Sequence, residues 1–139
     1  RLTSSDLLRC SETAEIIGRA VGLTVSATYD GLKERYYGAA EGMTANEYYA
    51  TFPDRQATNA ETVDELTERA VRTLREIAAS AGDQDVIAVA HGGLIAAVLR
   101  VASDGSLPRE DEYIANCSQQ ILEVSGDRLR VIGYNGTHR

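Results

Sequence analysis

The sequence predicts an α/β fold: a three-layer α/β/α sandwich with a mostly parallel sheet and a C-terminal β-hairpin. Three observations predict it. Val63, Leu66, Ala70, Leu74 and Ile77 form one apolar stripe at a period near 3.6, the mark of an amphipathic helix. Val86-Ile87-Ala88-Val89-Ala90 then gives a continuous apolar run, which suits a parallel strand buried on both faces. Finally, Gln120–Ser125 and Arg128–Tyr134 alternate around Gly126-Asp127 and read as a hairpin. Helix, strand and helix in alternation, closed by a hairpin, indicate layers around one core.

The elements follow in order. Leu7, Cys10, Ala14, Ile17 and Val21 fall at helical spacing and predict a first helix over roughly residues 8–21, stopped by Gly22. Leu23-Thr24-Val25 is a short strand candidate. Residues 26–60 are rich in Gly, Tyr and polar groups and read as a long functional loop, with a short helix around Ala45–Thr51 ahead of Pro53. Thr62 and Glu65 form a candidate capping box for the second helix, which Gly82 ends. His91-Gly92-Gly93 is a turn, and Leu94–Val101 begins a third helix. No repeat, low-complexity tract or long linker interrupts the chain.

The composition bounds the function. A chain of 139 residues, 43% hydrophobic and 25% charged, suits one globular domain. Its net charge of -7 argues against a broadly basic nucleic-acid surface, although a few converging arginines can still hold an anion. No apolar run approaches the roughly 20 residues of a bilayer span, and no secretory signal pattern opens the chain. Cys10 and Cys117, the two cysteines, make neither a disulfide framework nor a zinc pattern, so a cytoplasmic setting is expected. There is no initiator Met, and Arg1-Leu2-Thr3-Ser4-Ser5-Asp6 reads like the interior of a fold; a fragment is therefore expected.

Three segments carry chemistry. His91 stands at the carboxyl end of an apolar strand, before two glycines and a helix, where α/β sheets bind ligands. The glycines allow close backbone approach, and the helix N-terminus offers N–H groups to an anion. A histidine that merely caps a strand end is the plainer alternative. Arg9 sits in the first turn of a helix, where a cation is electrostatically misplaced and an anion clamp would explain it. An ordinary surface arginine is the alternative. Glu34, Arg35, Tyr36 and Tyr37 share a glycine-punctuated loop in which a glutamate could act as general acid. A solvated charged loop is the alternative there.

Taken together, these segments resemble the histidine phosphatase superfamily, the phosphoglycerate-mutase-like proteins, in order and spacing. Ser4 to Ala14 resembles its serine-serine-x-leucine-x-arginine-alanine-x-x-threonine-alanine segment, with Cys10 at the alanine. Leu32 to Gly42 resembles its leucine-x-glutamate-x-x-x-glycine-x-x-glutamate-glycine loop. Ala60-Glu61-Thr62 stands where glycine-glutamate-serine is usual, and Ala90 to Gly93 resembles the second catalytic histidine motif. Asn116-Cys117-Ser118 and Tyr134-Asn135-Gly136-Thr137-His138 resemble the C-terminal segments.

The resemblance implies catalytic roles for His91 and Glu34, with Glu34 the proton donor. It implies phosphate binding by Arg9, Gly92 and Arg35, and neither metal nor cofactor. The nucleophile it implies, a histidine in arginine-histidine-glycine on the first strand, has no counterpart here; the histidines are His91 and His138. Residues 1–139 are therefore expected to be a single domain without its N-terminal strand and nucleophile loop, inactive in this form. The expected activity of the complete protein is phosphoryl transfer through a phosphohistidine. Hydrolysis of a small phosphorylated metabolite is favoured over mutase chemistry, because residues 43–60 leave little room for a long insertion. The alternative is a non-catalytic relative that binds phosphate or a partner. No nucleic-acid or membrane partner is expected; a homodimer is foreseen, and the isolated chain is expected to aggregate, to pair its exposed edge with another chain or to be only marginally stable.

Overall fold

The computed structural model describes residues 1–139. In chain order it comprises β1 (Leu2–Ser5), α1 (Leu8–Val21), β2 (Val25–Tyr29), α2 (Ala45–Thr51), α3 (Val63–Ala81), β3 (Ile87–Val89) and α4 (Gly92–Ala102). Four further strands follow: β4 (Glu112–Tyr113), β5 (Ile121–Ser125), β6 (Arg128–Gly133) and β7 (Thr137–His138). Single 3-10 turns cover Asp30–Leu32 and Gly38–Ala40. No helix is long and apolar enough to cross a membrane.

A parallel sheet in the order β2-β1-β3 forms the centre, with Leu2 opposite Val25 on one side and Ile87 on the other. Helix α1 packs on this sheet, and α3 and α4 pack against each other. The core joins Leu32, Leu66, Ala70, Ile77, Leu94, Ala97 and Val98, with Val86, Ala90 and Leu122 packed against it. The β5–β6 hairpin turns at Gly126-Asp127, as expected, with Gly126 at φ 57°. It forms a separate two-stranded sheet resting on the same helical layer.

Helix ends follow local chemistry. Gly22 closes α1 in the left-handed conformation, φ 74°, and its N–H returns to the Gly18 carbonyl. Thr44 and Glu47 make a full capping box for α2. At α3 only half of the expected box forms: Thr62 Oγ1 accepts the Glu65 N–H at 3.1 Å.

Several expectations are corrected. The doubly covered strand is β1, where Leu2-Thr3-Ser4-Ser5 is buried throughout although three of its four residues are polar and the sequence predicts no strand there. The apolar run expected to be buried forms β3 instead, which pairs only with β1 and leaves Ile87 39% exposed. Strand burial is set by position in the sheet, and a three-stranded sheet has one centre. Residues 25–29, expected mainly as loop, form β2 because they pair along β1. On α3, Val63 is exposed while Thr73 joins the buried stripe, where Gly31 lies against it with no room for a side chain.

Candidate active site

The site is built where β1, β3, α1 and α4 meet. His91 is the N-cap residue of α4, in extended conformation, with its carbonyl accepting the Ile95 N–H at 2.9 Å. Its side chain is buried, 6% exposed. His91 Nε2 lies 3.0 Å from Ser5 Oγ, at the end of β1, and 3.4 Å from Cys10 Sγ, in the first turn of α1. Ser5 Oγ also accepts the Leu7 N–H at 3.3 Å, and the Cys10 thiol faces the Ala90 carbonyl at 3.3 Å. The ring is thereby wedged between strand end and helix. Burial holds its pKa below the usual imidazole range, and the nearby Arg9 guanidinium lowers it further. Burial likewise pushes the Cys10 thiol up.

Glu34 reaches this site from a distant part of the chain. Its Oε2 accepts the Gly93 N–H at 3.0 Å, and its Oε1 accepts the Leu94 N–H at 3.0 Å and the Arg35 N–H at 2.9 Å. A carboxylate thus caps the N-terminus of α4, satisfying two donors that the helix cannot pair itself and meeting the positive end of its dipole. Gly93 makes this possible, since a Cβ there would fall 2.6 Å from Glu34 Oε1. Gly92 carries no such constraint, its nearest neighbour being the Ile114 carbonyl at 3.5 Å.

The loop bearing Glu34 is tied down on both sides. Lys33 Nζ pairs with Asp30 at 2.6 Å and with Asp6, in the β1–α1 turn, at 3.4 Å. Arg69, from α3, donates to the carbonyls of Gly31 and Lys33 at 2.9 Å each and clamps Glu61 with two bonds of 2.8 Å. That bonding holds the Glu61 carboxyl below the usual carboxylate range.

The structure therefore brings His91, Glu34 and Gly92 to one helix N-terminus, with Arg9 close enough to act on His91. Arg35 is directed elsewhere: its Nε donates to the Glu61 carbonyl at 2.9 Å and its guanidinium lies 5.3 Å from the Tyr37 ring centre. It lines a cleft of about 930 Å³ with Tyr37, Met43, Tyr48 and Arg55. His138 stays in the C-terminal strand pair, its Nδ1 3.0 Å from Asp111 Oδ2. Sequence reasoning missed Ser5 and Arg69. The first had a signal in its place within the serine-serine segment; the second, one arginine among several on α3, had none.

Comparisons with known proteins bear on family and fold. The family model described as histidine phosphatase superfamily (branch 1) matches residues 1–137. The protein described as uncharacterized phosphatase PhoE of Bacillus subtilis is 34% identical over 134 residues, covering 96% of this chain and 69% of that protein. A metal-independent phosphoserine phosphatase of Arabidopsis thaliana is 30% identical over 116 residues, covering 74% of this chain and 49% of its own. Among solved structures, YhfR of Bacillus stearothermophilus superposes with a TM-score of 0.83 at 22% identity, over 95% of this chain and 71% of that one. A mycobacterial glucosyl-3-phosphoglycerate phosphatase, solved with VO3, superposes with a TM-score of 0.79 at 26% identity, over 98% of this chain and 76% of that one. The chain belongs to branch 1 of the histidine phosphatase superfamily and is an enzyme of that family.

Proposed function

We propose that this chain forms the body of a phosphomonoesterase that hydrolyses a small phosphorylated metabolite through a phosphohistidine intermediate. The observation that carries the reading is the meeting of His91 and Glu34 at the N-terminus of α4. The names of the relatives, phosphatases of phosphoserine and of glucosyl-3-phosphoglycerate, support hydrolysis of this substrate class.

In this reading the phosphoryl group lies between Arg9, His91 and the α4 N-terminus, where Gly92 lets the backbone approach. The nucleophilic histidine comes from a strand outside residues 1–139, and the free edge of β3, which leads into His91, is a fitting place for it. Its ring nitrogen attacks phosphorus, and the ester oxygen leaves with a proton from Glu34. Water then attacks the phosphohistidine, Glu34 takes the proton back, and phosphate is released. His91 and the amides stabilise the charge that builds on the equatorial oxygens.

Glu34 now occupies two amide donors that a phosphoryl oxygen would use. An arriving phosphate therefore displaces the carboxylate toward the ester oxygen. The cleft beside Arg35 would hold the rest of the metabolite.

The test uses an active form whose chain includes the nucleophile strand. Glu34→Gln should lower kcat by about 10²–10⁴ for an alkyl phosphate, and far less for p-nitrophenyl phosphate, whose leaving group needs no proton. Equal losses on both substrates would remove Glu34 as the acid. Binding of phosphate without turnover by the complete protein would favour a non-catalytic relative.

A further inference from the structure

We infer that Arg69, acting through its pair with Glu61, is the positioning residue of the proton donor. It fixes the backbone that carries Glu34, so that only the carboxyl end of that side chain moves when a phosphate arrives. The inference rests on the reading of Glu34 as general acid.

Arg69 lies in the second turn of α3, far in sequence from Glu34, and its side chain is 19% exposed. A guanidinium has five N–H donors in a planar fork. Here the hydrogen bonds go to Gly31 and Lys33 carbonyls at 2.9 Å, to the Glu34 carbonyl at 3.5 Å and to both Glu61 carboxylate oxygens at 2.8 Å. Every acceptor belongs to the acid-bearing loop or to Glu61. Glu61 then holds the far side of the same loop: its Oε1 accepts the Tyr36 N–H at 3.2 Å, and its carbonyl accepts Arg35 Nε at 2.9 Å.

Residues 31–36 are thus gripped before and after Glu34 by one half-buried ion pair. Gly31 completes the seat, lying so close to Thr73 that a Cβ would overlap its hydroxyl. A lysine at position 69 would keep the charge but could not span two carbonyls and a carboxylate at once. A displacement of about 1 Å at a reacting group is enough to cost on the order of 10²-fold in rate.

The experiment compares wild type, Glu34→Gln, Arg69→Lys, Glu61→Gln and the double variant Glu34→Gln/Arg69→Lys in the complete, active protein. Turnover of an alkyl phosphate and of p-nitrophenyl phosphate is measured for each. Arg69→Lys should lower kcat for the alkyl phosphate by about 10–100-fold and for p-nitrophenyl phosphate by only a few-fold. Glu61→Gln should give the same pattern more weakly. In the double variant, Arg69→Lys should add almost nothing for the alkyl ester, because the group it positions is already gone.

Equal losses on both esters from Arg69→Lys, or full additivity in the double variant, would make Arg69 a merely structural residue and overturn the inference. If Arg69→Lys does not fold, Glu61→Gln decides by the same comparison. If Glu34→Gln itself shows no leaving-group dependence, the reading of Glu34 fails, and the inference with it. If Glu34→Gln shows it and neither Arg69→Lys nor Glu61→Gln does, the inference alone fails.

Discussion

Two adjacent glycines allow the contact between Glu34 and α4 to be measured directly. Gly92 and Gly93 are the first two residues of the helix, and alanine at either site gains helix propensity, up to about 1 kcal/mol. At Gly92 the new methyl meets the Ile114 carbonyl at 3.5 Å, an ordinary contact. At Gly93 it would lie 2.6 Å from Glu34 Oε1 and 3.1 Å from Cδ, so the carboxylate must leave. Its departure frees the Gly93 and Leu94 N–H groups and removes the carboxylate that caps the helix through them. Losing a cap of this kind costs about 0.5–2 kcal/mol, and water replaces part of it at this half-exposed site. Gly92→Ala should therefore be neutral or slightly stabilising, and Gly93→Ala less stable than Gly92→Ala by about 0.5–1.5 kcal/mol. Urea unfolding of the two variants, with Glu34→Ala in both backgrounds, gives the difference. The gap should close once Glu34 is gone. Equal stability of the two glycine variants in the wild-type background would refute the capping contact.

Leu94→Ala removes a side chain buried at 2% exposure in the α3–α4 core and should cost about 2–5 kcal/mol in urea unfolding; a loss under about 1 kcal/mol would mean that the core relaxes around it. Thr62→Ala removes the acceptor for the Glu65 N–H and should cost about 0.5–2 kcal/mol by the same assay, whereas Thr62→Ser should restore it. His91 is held below the usual imidazole range, first by burial and then by Arg9. Its contribution to stability is complete above the unfolded value of about pH 6.5 and is lost as pH falls through the lowered native value. The urea midpoint should accordingly fall on the acid side of about pH 6.5, and His91→Gln should flatten that part of the profile; an unchanged slope would show that His91 protonates freely in the fold. The one-sided pairing of β3 leaves Ile87 beside an open strand edge, so residues 1–139 should self-associate in sedimentation velocity, and Ile87→Lys should reduce it.

Much of the architecture is local, and the sequence determines it. The helices at 8–21 and 63–81 follow from period-3.6 stripes, from Thr62 as a cap and from Gly22 and Gly82 as stops, and the short helix at 45–51 from its place ahead of Pro53. The hairpin follows from alternation around Gly126-Asp127, and the anion-ready turn from a histidine and two glycines at a strand end. Each of these rests on neighbours within a few residues, where backbone geometry and hydrogen-bond supply leave few choices. What the tertiary structure alone decided depends on partners far apart in the chain. β1 is buried because β2 and β3 flank it and α1 and the Asp30–Leu32 turn pack against it, so Thr3, Ser4 and Ser5 are interior despite their polarity, while the more apolar β3 stands at an edge. Arg35 turns to Glu61 and Tyr37 because Glu61 is fixed by Arg69. The placement of Glu34 on the amides of Gly93 and Leu94 depends on Arg69 and Thr73 seating a loop some forty residues earlier in the chain. Periodicity carries no information about such pairings; they are set by sheet order and by which buried donors find acceptors once the layers close.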